Sequence, residues 1–472
     1  MAKILMVASE AAPFAKTGGL ADVIGALPAA LQARGEDVAV VMPRYGSVPL
    51  DGARRVYDHL RLWLGPESYP AAVYLILERE VAFYFIDCPA LYDRDGLYSD
   101  AGGDYADNHI RFAVLSQAAL AVVRHLFRPQ VIHCHDWQTG LVPAYARSLF
   151  AYDPTFMGIK TLFTIHNLGY QGLFPKQILP EIGLDRAVFH PEGIEFYGKA
   201  SYLKGGLSYS DALSTVSKAY AREIQTPEYG FGLDGLLRAR SNVLYGILNG
   251  VDYKEWNPET DPHIVANYSA GNLRGKRLSK QDVLKEFGLP AETVEKPLIG
   301  IVSRFARQKG FDLIAGIAAE LASEELSLVA LGTGEPEYEK FFMDLASAHP
   351  AKIAARITYD DRLAHKIEAG ADMLLMPSRY EPCGLNQIYS LRYGTVPVVR
   401  ATGGLDDTIE ESTGFKAKEH TGRSLLEAIR AALAAFRDRG RWRAMMRRGM
   451  AKDFSWEASA AEYSALYGRL IG

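Results

Sequence analysis

The feature that most constrains this chain is a junction close to its start. The run Ile4-Leu5-Met6-Val7-Ala8 is apolar without alternation, as in a strand covered on both faces of a parallel sheet. It leads into Lys16-Thr17-Gly18-Gly19-Leu20-Ala21-Asp22-Val23, which opens an apolar-periodic helix over residues 20–34, with Gly35 as its stop. A second apolar strand, Val38-Ala39-Val40-Val41-Met42, follows at once. The unit is strand, glycine loop, helix, strand. Gly18 and Gly19 let backbone N–H groups approach a ligand, the helix dipole favours an anion there, and Lys16 adds a mobile positive charge. The spacing is neither the dinucleotide pattern GxGxxG nor the phosphate loop GxxxxGK[ST]. Two readings stay open on these residues: a phosphate site, or a glycine turn beside a solvated lysine.

The same order returns later. Leu298-Ile299-Gly300-Ile301-Val302 feeds a basic loop, Ser303-Arg304-Phe305-Ala306-Arg307-Gln308-Lys309-Gly310, and a helix from about residue 312. Further strands are expected at 326–331, 354–358 and 373–376. Between the halves, Asn249-Gly250 is a turn signal, Trp256-Asn257-Pro258 follows, and the chain stays polar and irregular to about residue 280. The alternation predicts an α/β protein with two doubly wound parallel sheets, one per half. A chain of 472 residues is long enough for two or three cores. A net charge of −4 gives no general attraction to nucleic acid or to anionic membranes, so an anion site has to be local. The three cysteines, Cys88, Cys134 and Cys383, are too scattered for a disulfide framework or zinc ribbon and suit a reducing cytosol. With no charged leader and no bilayer-length apolar run, the sequence reads as cytoplasmic.

Polar residues gather where strands end, which is where open α/β sheets bind ligands. Val131-Ile132-His133-Cys134-His135-Asp136-Trp137 is one such stretch, after a helix over 108–125, and Thr161-Leu162-Phe163-Thr164-Ile165-His166-Asn167 is another. His133 and His135 have no third ligand nearby and read as structural. Asp93-Arg94-Asp95, formally a metal-binding DxD, reads as a surface turn. The richest cluster is Pro377-Ser378-Arg379-Tyr380-Glu381-Pro382-Cys383-Gly384-Leu385-Asn386, between the strand at 373–376 and a helix to about 393. Pro382 is suited to that helix's first turn, which places the Gly384 and Leu385 amides to meet an anion. Glu381 then suits accepting hydrogen bonds from hydroxyls beside a phosphate, as on a sugar; the alternative is an acid favoured only by the helix dipole. Arg304, Lys309 and Lys16 are three cations suited to a departing nucleoside diphosphate. Each such group commonly lowers the barrier by about 3 kcal/mol, and together they need no metal.

Taken together, these stretches, with Asn249-Gly250-Val251-Asp252 and Thr402-Gly403-Gly404-Leu405-Asp406-Asp407, resemble the ADP-glucose-dependent glycogen and starch synthases, retaining glucosyltransferases of family five. The resemblance spans essentially the whole chain. It implies a GT-B enzyme: two Rossmann-like domains with a cleft between them, residues 1–247 on the acceptor side and 248–455 for the nucleotide-sugar donor, with a final helix, 456–472, returning to the first. It implies ADP-glucose and glycogen or another α-1,4-glucan as substrates, no cofactor, no metal, and no nucleic-acid or membrane partner. Carried over by position, Lys16, Gly18 and Gly19 contact the diphosphate, Arg304 and Lys309 hold the phosphates of the leaving ADP, and Glu381 takes glucose hydroxyls. Amides around Cys383, Gly384 and Leu385 hold the distal phosphate or sugar. His166 lies beside the reacting carbon, Tyr359 packs on adenine, and Asp22, Asp136 and Asn167 line the sugar or acceptor site. Two departures stand out: Asn386 replaces a common Thr, and the span from 407 to 414 is short, a trimmed loop. Glu381 is the one strong candidate for a covalent nucleophile, and its placement better suits hydroxyl binding, so front-face displacement is expected. The rival readings are a silent GT-B relative that only binds glucan, a UDP-sugar transferase, and a phosphorylase, which would need a pyridoxal-binding lysine. The residues alone do not separate ADP from UDP, and oligomeric state stays open.

Overall fold

The first strand, β1 (Lys3–Val7), is fully buried from Ile4 onward, and that burial sets it at the middle of a sheet. The computed structural model describes all 472 residues. They divide into two compact units. One holds Met1–Val216, Ala221–Gly250 and Trp456–Gly472; the other holds Ser217–Tyr220 and Val251–Ser455.

In the first unit, β1 is followed by α1 (Gly19–Ala33), β2 (Asp37–Pro43), β3 (Arg54–Leu64), β4 (Glu67–Glu78), β5 (Val81–Asp87), α2 (Asn108–His125), β6 (Val131–His135), β7 (Lys160–Ile165), β8 (Ala212–Thr215) and β9 (Leu244–Gly246). The sheet order is β9-β8-β7-β6-β1-β2-β5-β4-β3. The pairs from β9 to β5 are all parallel, whereas β4 and β3 are added antiparallel at one edge. Met6 of β1 is in register with Val40 of β2 and His133 of β6. The strands on either side of β1 thus come from opposite directions of sheet growth. This is a topological switch point, and ligands bind outside the carboxyl ends of such strands.

The second unit has β10 (Leu298–Val302), β11 (Ser327–Gly332), β12 (Ile353–Ile357), β13 (Met373–Met376), α3 (Asn386–Arg392), β14 (Val396–Arg400) and β15 (Phe415–Ala417). Its order, β12-β11-β10-β13-β14-β15, is wholly parallel. Counted within the unit this is 3-2-1-4-5-6, the doubly wound dinucleotide-fold order, with its switch point between β10 and β13. The helix expected from residue 312 is two short ones, Phe311–Gly316 and Ala318–Ser323, parted at Ile317. The turn region around Asp93 carries a small hairpin, Ser99–Asp100 with Gly103–Asp104.

The last helix, α4 (Trp456–Ile471), belongs to the first unit and packs on α1. Ser459 Oγ donates to the Leu248 carbonyl at 2.6 Å. Gly250 has no room for a Cβ, which would lie 2.5 Å from the Trp456 backbone. No helix is long and apolar enough to cross a membrane.

Candidate active site

At the first unit's switch point, the loop after β1 carries Lys16 and leads through Gly18 into α1. Lys16 Nζ pairs with Asp22 Oδ1 at 2.6 Å, the lysine side chain half exposed. The expectation of free amides at this mouth needs correcting. Glu10, 4 % exposed, directs its carboxylate into the loop. It accepts from Thr17 N at 2.5 Å, Thr17 Oγ1 at 2.7 Å, Gly18 N at 3.3 Å and the Tyr98 hydroxyl at 2.5 Å. The first amides therefore already serve an internal anion, which is why the loop has a defined shape. An ionised carboxylate takes such donors because it offers acceptor sites only. Glu10 was missed in the sequence because it stands six residues before Lys16, outside the glycine pattern.

At the ends of β6 and β7 the polar residues converge. Asp136 has φ 57° and ψ 179°, a region almost reserved for glycine, so its backbone is strained. Its Oδ1 accepts from the His166 amide at 2.7 Å, and the Asn167 amide also points at the carboxylate. Burial pushes the Asp136 carboxyl up to about 7 against those two amides. His135 Nδ1 lies 3.0 Å from His166 Nε2. Both ring nitrogens of His133 are committed, Nε2 to Thr164 Oγ1 at 2.6 Å and Nδ1 to the Tyr467 hydroxyl at 2.8 Å. His133 is therefore structural, tying α4 to the sheet. Burial holds His133 and His135 well below the usual imidazole range and brings His166 down to about 3, so all three are neutral at pH 7. Asn167 turns its Oδ1 to the Gly169 amide at 3.0 Å.

The second unit's switch point brings the loops after β10 and β13 together. Lys309 Nζ and Glu381 Oε2 are 2.7 Å apart, with Ser378 Oγ donating to the same oxygen at 2.9 Å. The Arg379 amide donates to the Gln308 carbonyl at 2.8 Å, and Gln308 Nε2 to the Tyr380 carbonyl at 3.2 Å. Gly310, at φ 73°, sits where a Cβ would be 2.0 Å from the Pro377 carbonyl. Arg304 is exposed in the first of these loops. Tyr359, just past β12, is 81 % exposed.

The helix after Glu381 starts later than expected. It begins at Asn386 with Leu385 as its cap, so Pro382 is not in its first turn and Glu381 is not at its mouth. What holds Glu381 instead is the start of a short helix, Gly403–Thr408 with Thr402 as its cap, whose Gly404 amide donates to the Glu381 carbonyl at 3.0 Å. A Cβ on Gly403 (φ 46°) would be 2.0 Å from that carbonyl, and one on Gly404 1.8 Å from the Cys383 carbonyl. Cys383 is buried in this contact, and Gly384 takes φ 70° to turn the chain toward α3. Asn386, the departure noted in the sequence, donates through Nδ2 to the Val302 carbonyl at 2.7 Å, tying α3 to the end of β10.

The chain is similar to known proteins over its whole length. Residues 3–239 match the starch synthase catalytic domain and residues 285–447 the group 1 glycosyl transferases. A glycogen synthase of Koribacter versatilis is 52 % identical, with 98 % of this chain and 97 % of that protein aligned. The chain belongs to the glycogen and starch synthase family. Among family structures, the catalytic domain of starch synthase IV from Arabidopsis thaliana, solved with ADP and acarbose, superposes with a TM-score of 0.90. It is 31 % identical over 100 % of this chain and 99 % of that one. A sucrose-phosphate synthase from Thermosynechococcus elongatus superposes with a TM-score of 0.60 at 20 % identity, covering 99 % of this chain and 98 % of that one, a likeness of fold. The architecture is GT-B, two parallel-sheet α/β domains in one chain.

Proposed function

We propose that this family member transfers glucose from ADP-glucose to the non-reducing end of an α-1,4-glucan with retention of configuration, the elongating step of glycogen synthesis. The observation that carries the reading is the second unit's switch point, where Arg304 and the Lys309–Glu381 pair occupy the loops at the ends of β10 and β13. The diphosphate gains charge as its bond to C1 breaks, and Arg304 and Lys309 stabilise that charge more in the transition state than before it. Lys16 of the first unit supplies a third cation, and Gly18 and Gly19 keep the approach clear. Glu381, released in part from Lys309 by the incoming phosphate, accepts hydrogen bonds from glucose hydroxyls. The backbone around Cys383, Gly384 and Leu385 lines the sugar, and the Tyr359 ring stacks on adenine.

His166 lies beside C1. Its neutral ring and its carbonyl face the oxocarbenium-like centre, with Asp136 holding its amide and Asp22 and Asn167 lining the acceptor side. The acceptor 4-hydroxyl attacks from the face that ADP leaves, and the departing phosphate takes its proton. Two or three fixed cations do the work a divalent metal does in other transferases. Three buried cysteines, none in a disulfide, suit a cytoplasmic site of action. The test is direct: purified protein with glycogen and either ADP-glucose or UDP-glucose, with and without EDTA. Nucleotide release matched by glucan growth from ADP-glucose, unchanged by EDTA, is expected. Glucan binding without nucleotide release would make the chain a scaffold, and loss of activity in EDTA would overturn the metal-independent mechanism.

A further inference from the structure

A row of imidazoles runs inward from His166, and the reaction described above uses only its outermost member. His133 and His135 stand two residues apart on β6, facing the same way, with ring centroids 4.0 Å apart; His135 and His166 are 5.3 Å apart. His135 is completely buried. Its Nδ1 is 3.0 Å from His166 Nε2, while its Nε2 is shut off from solvent and has no hydrogen-bond partner. His166 Nδ1 makes no protein hydrogen bond and its ring is only part-buried.

A neutral imidazole has one N–H and one bare nitrogen, so the short contact holds one proton that belongs to one ring or the other. If His166 donated it, His135 would carry its own proton on Nε2, an N–H sealed in the interior with no acceptor. Buried orphan N–H groups are rare in native structures. If His135 donates, its Nε2 is a bare nitrogen and no donor is stranded. Burial keeps both rings neutral, so the pair does not escape the choice by taking up a second proton. His166 Nε2 is then the acceptor, and the proton of His166 has to lie on Nδ1.

We propose that His135 is a positioning residue that locks His166 in the Nδ1–H tautomer, so that His166 offers a fixed N–H to a hydroxyl of the transferred glucose. This rests on the reading that glucose sits beside His166. A donor aimed before substrate arrives needs no reorganisation during the reaction. The second histidine of the His133-Cys134-His135-Asp136 stretch then acts on the sugar through His166 without touching it.

The test uses full-length protein labelled with 15N-histidine, the His166 signals assigned by their loss in His166→Asn. Without substrate, the spectrum of the unsubstituted protein is expected to show a protonated Nδ1 and a bare Nε2 on His166. His135→Phe fills the ring's volume without an N–H, and His166 is expected to become a tautomer mixture. With ADP-glucose, kcat of that variant falls roughly tenfold to a hundredfold while KM for the donor stays within about threefold. His135→Asn keeps an amide donor and recovers most of both signatures. A protonated Nε2 on His166 in the unsubstituted protein overturns the proposal, as does an unchanged tautomer or an unchanged kcat in His135→Phe. Should His135→Phe fail to fold, the unsubstituted spectrum and His135→Asn still decide it. The spectrum is read without donor, so an absence of ADP-glucose turnover sinks the proposed reaction separately from the tautomer assignment.

Discussion

Arg304 and Lys309 have the same charge, but they test different things. Lys309 is engaged with Glu381, whose side chain is 8 % exposed. Lys309→Ala therefore strands a buried carboxylate and is expected to cost about 3 kcal/mol of stability besides its effect on catalysis. Arg304 is exposed, so Arg304→Ala should leave stability within about 0.5 kcal/mol. It should still lower kcat about a hundredfold or more with glucan affinity unchanged. Urea denaturation and steady-state kinetics on both variants separate the two effects; near-normal kcat in Arg304→Ala would remove it from the leaving-group site. Glu10 gives a third residue-scale prediction. In Glu10→Ala the Thr17 and Gly18 amides lose the one oxygen, Oε2, to which both donate. A loss of about 1–3 kcal/mol follows, with a raised KM for the donor as the Lys16 loop loosens. An unaltered KM would mean that the loop does not need this anchor.

Long apolar strands were readable from composition and period alone: β1, β2, β7 and β13 lie where their apolar runs are. The edge strand β3 was not, because Arg54, Asp58, His59 and Arg61 interrupt it and most of it faces solvent. The glycines around Glu381 illustrate the same limit at the site. Thr402-Gly403-Gly404 was legible as a motif, but its purpose depends on a carbonyl twenty-two residues earlier in the chain, which no local pattern reveals. Likewise Pro382 looked like a helix start, yet the backbone from Glu381 to Cys383 lies against the helix start at Gly403 and Gly404, and its own helix begins only at Asn386. Gly403→Ala is the matching prediction. A Cβ 2.0 Å from the Glu381 carbonyl, at a positive φ, cannot be accommodated without moving that backbone. The variant should lose several-fold or more in kcat and about 2 kcal/mol or more in stability, read by thermal melts and kinetics; a fully active Gly403→Ala would show that this helix start does not position Glu381.

Each unit, taken as a whole, repeats one solution: a sheet, parallel through its switch point, that gathers polar loops over a buried interior. In the first unit that interior contains three neutral histidines, which makes its stability pH-dependent with a definite sign. Unfolded histidines take up protons below about 6.5, while folded His133, His135 and His166 resist. The unfolded chain then binds more protons, so stability falls as pH drops below about 6.5. Asp136, pushed up to about 7, acts oppositely, since its folded form keeps a proton that the unfolded form loses above about 4. Three groups against one leave a net loss on acidification. Hydrogen exchange of the β7 amides should report lower protection free energy at pH 5 than at pH 7.5; equal or higher protection at pH 5 would contradict the neutral row. This interior was only half legible: His133 was recognisable as structural, but neither its bond to Tyr467 nor the contact of His135 with His166 was.

The proposed reaction needs a nucleoside diphosphate sugar held at the second unit's switch point by Arg304 and Lys309. A crystal structure of the full chain with ADP-glucose or ADP tests it most directly. Both phosphorus atoms are expected within about 4–5 Å of the Arg304 and Lys309 side-chain nitrogens, with Glu381 facing the sugar. A diphosphate bound elsewhere, remote from Arg304 and Lys309, would contradict that reaction.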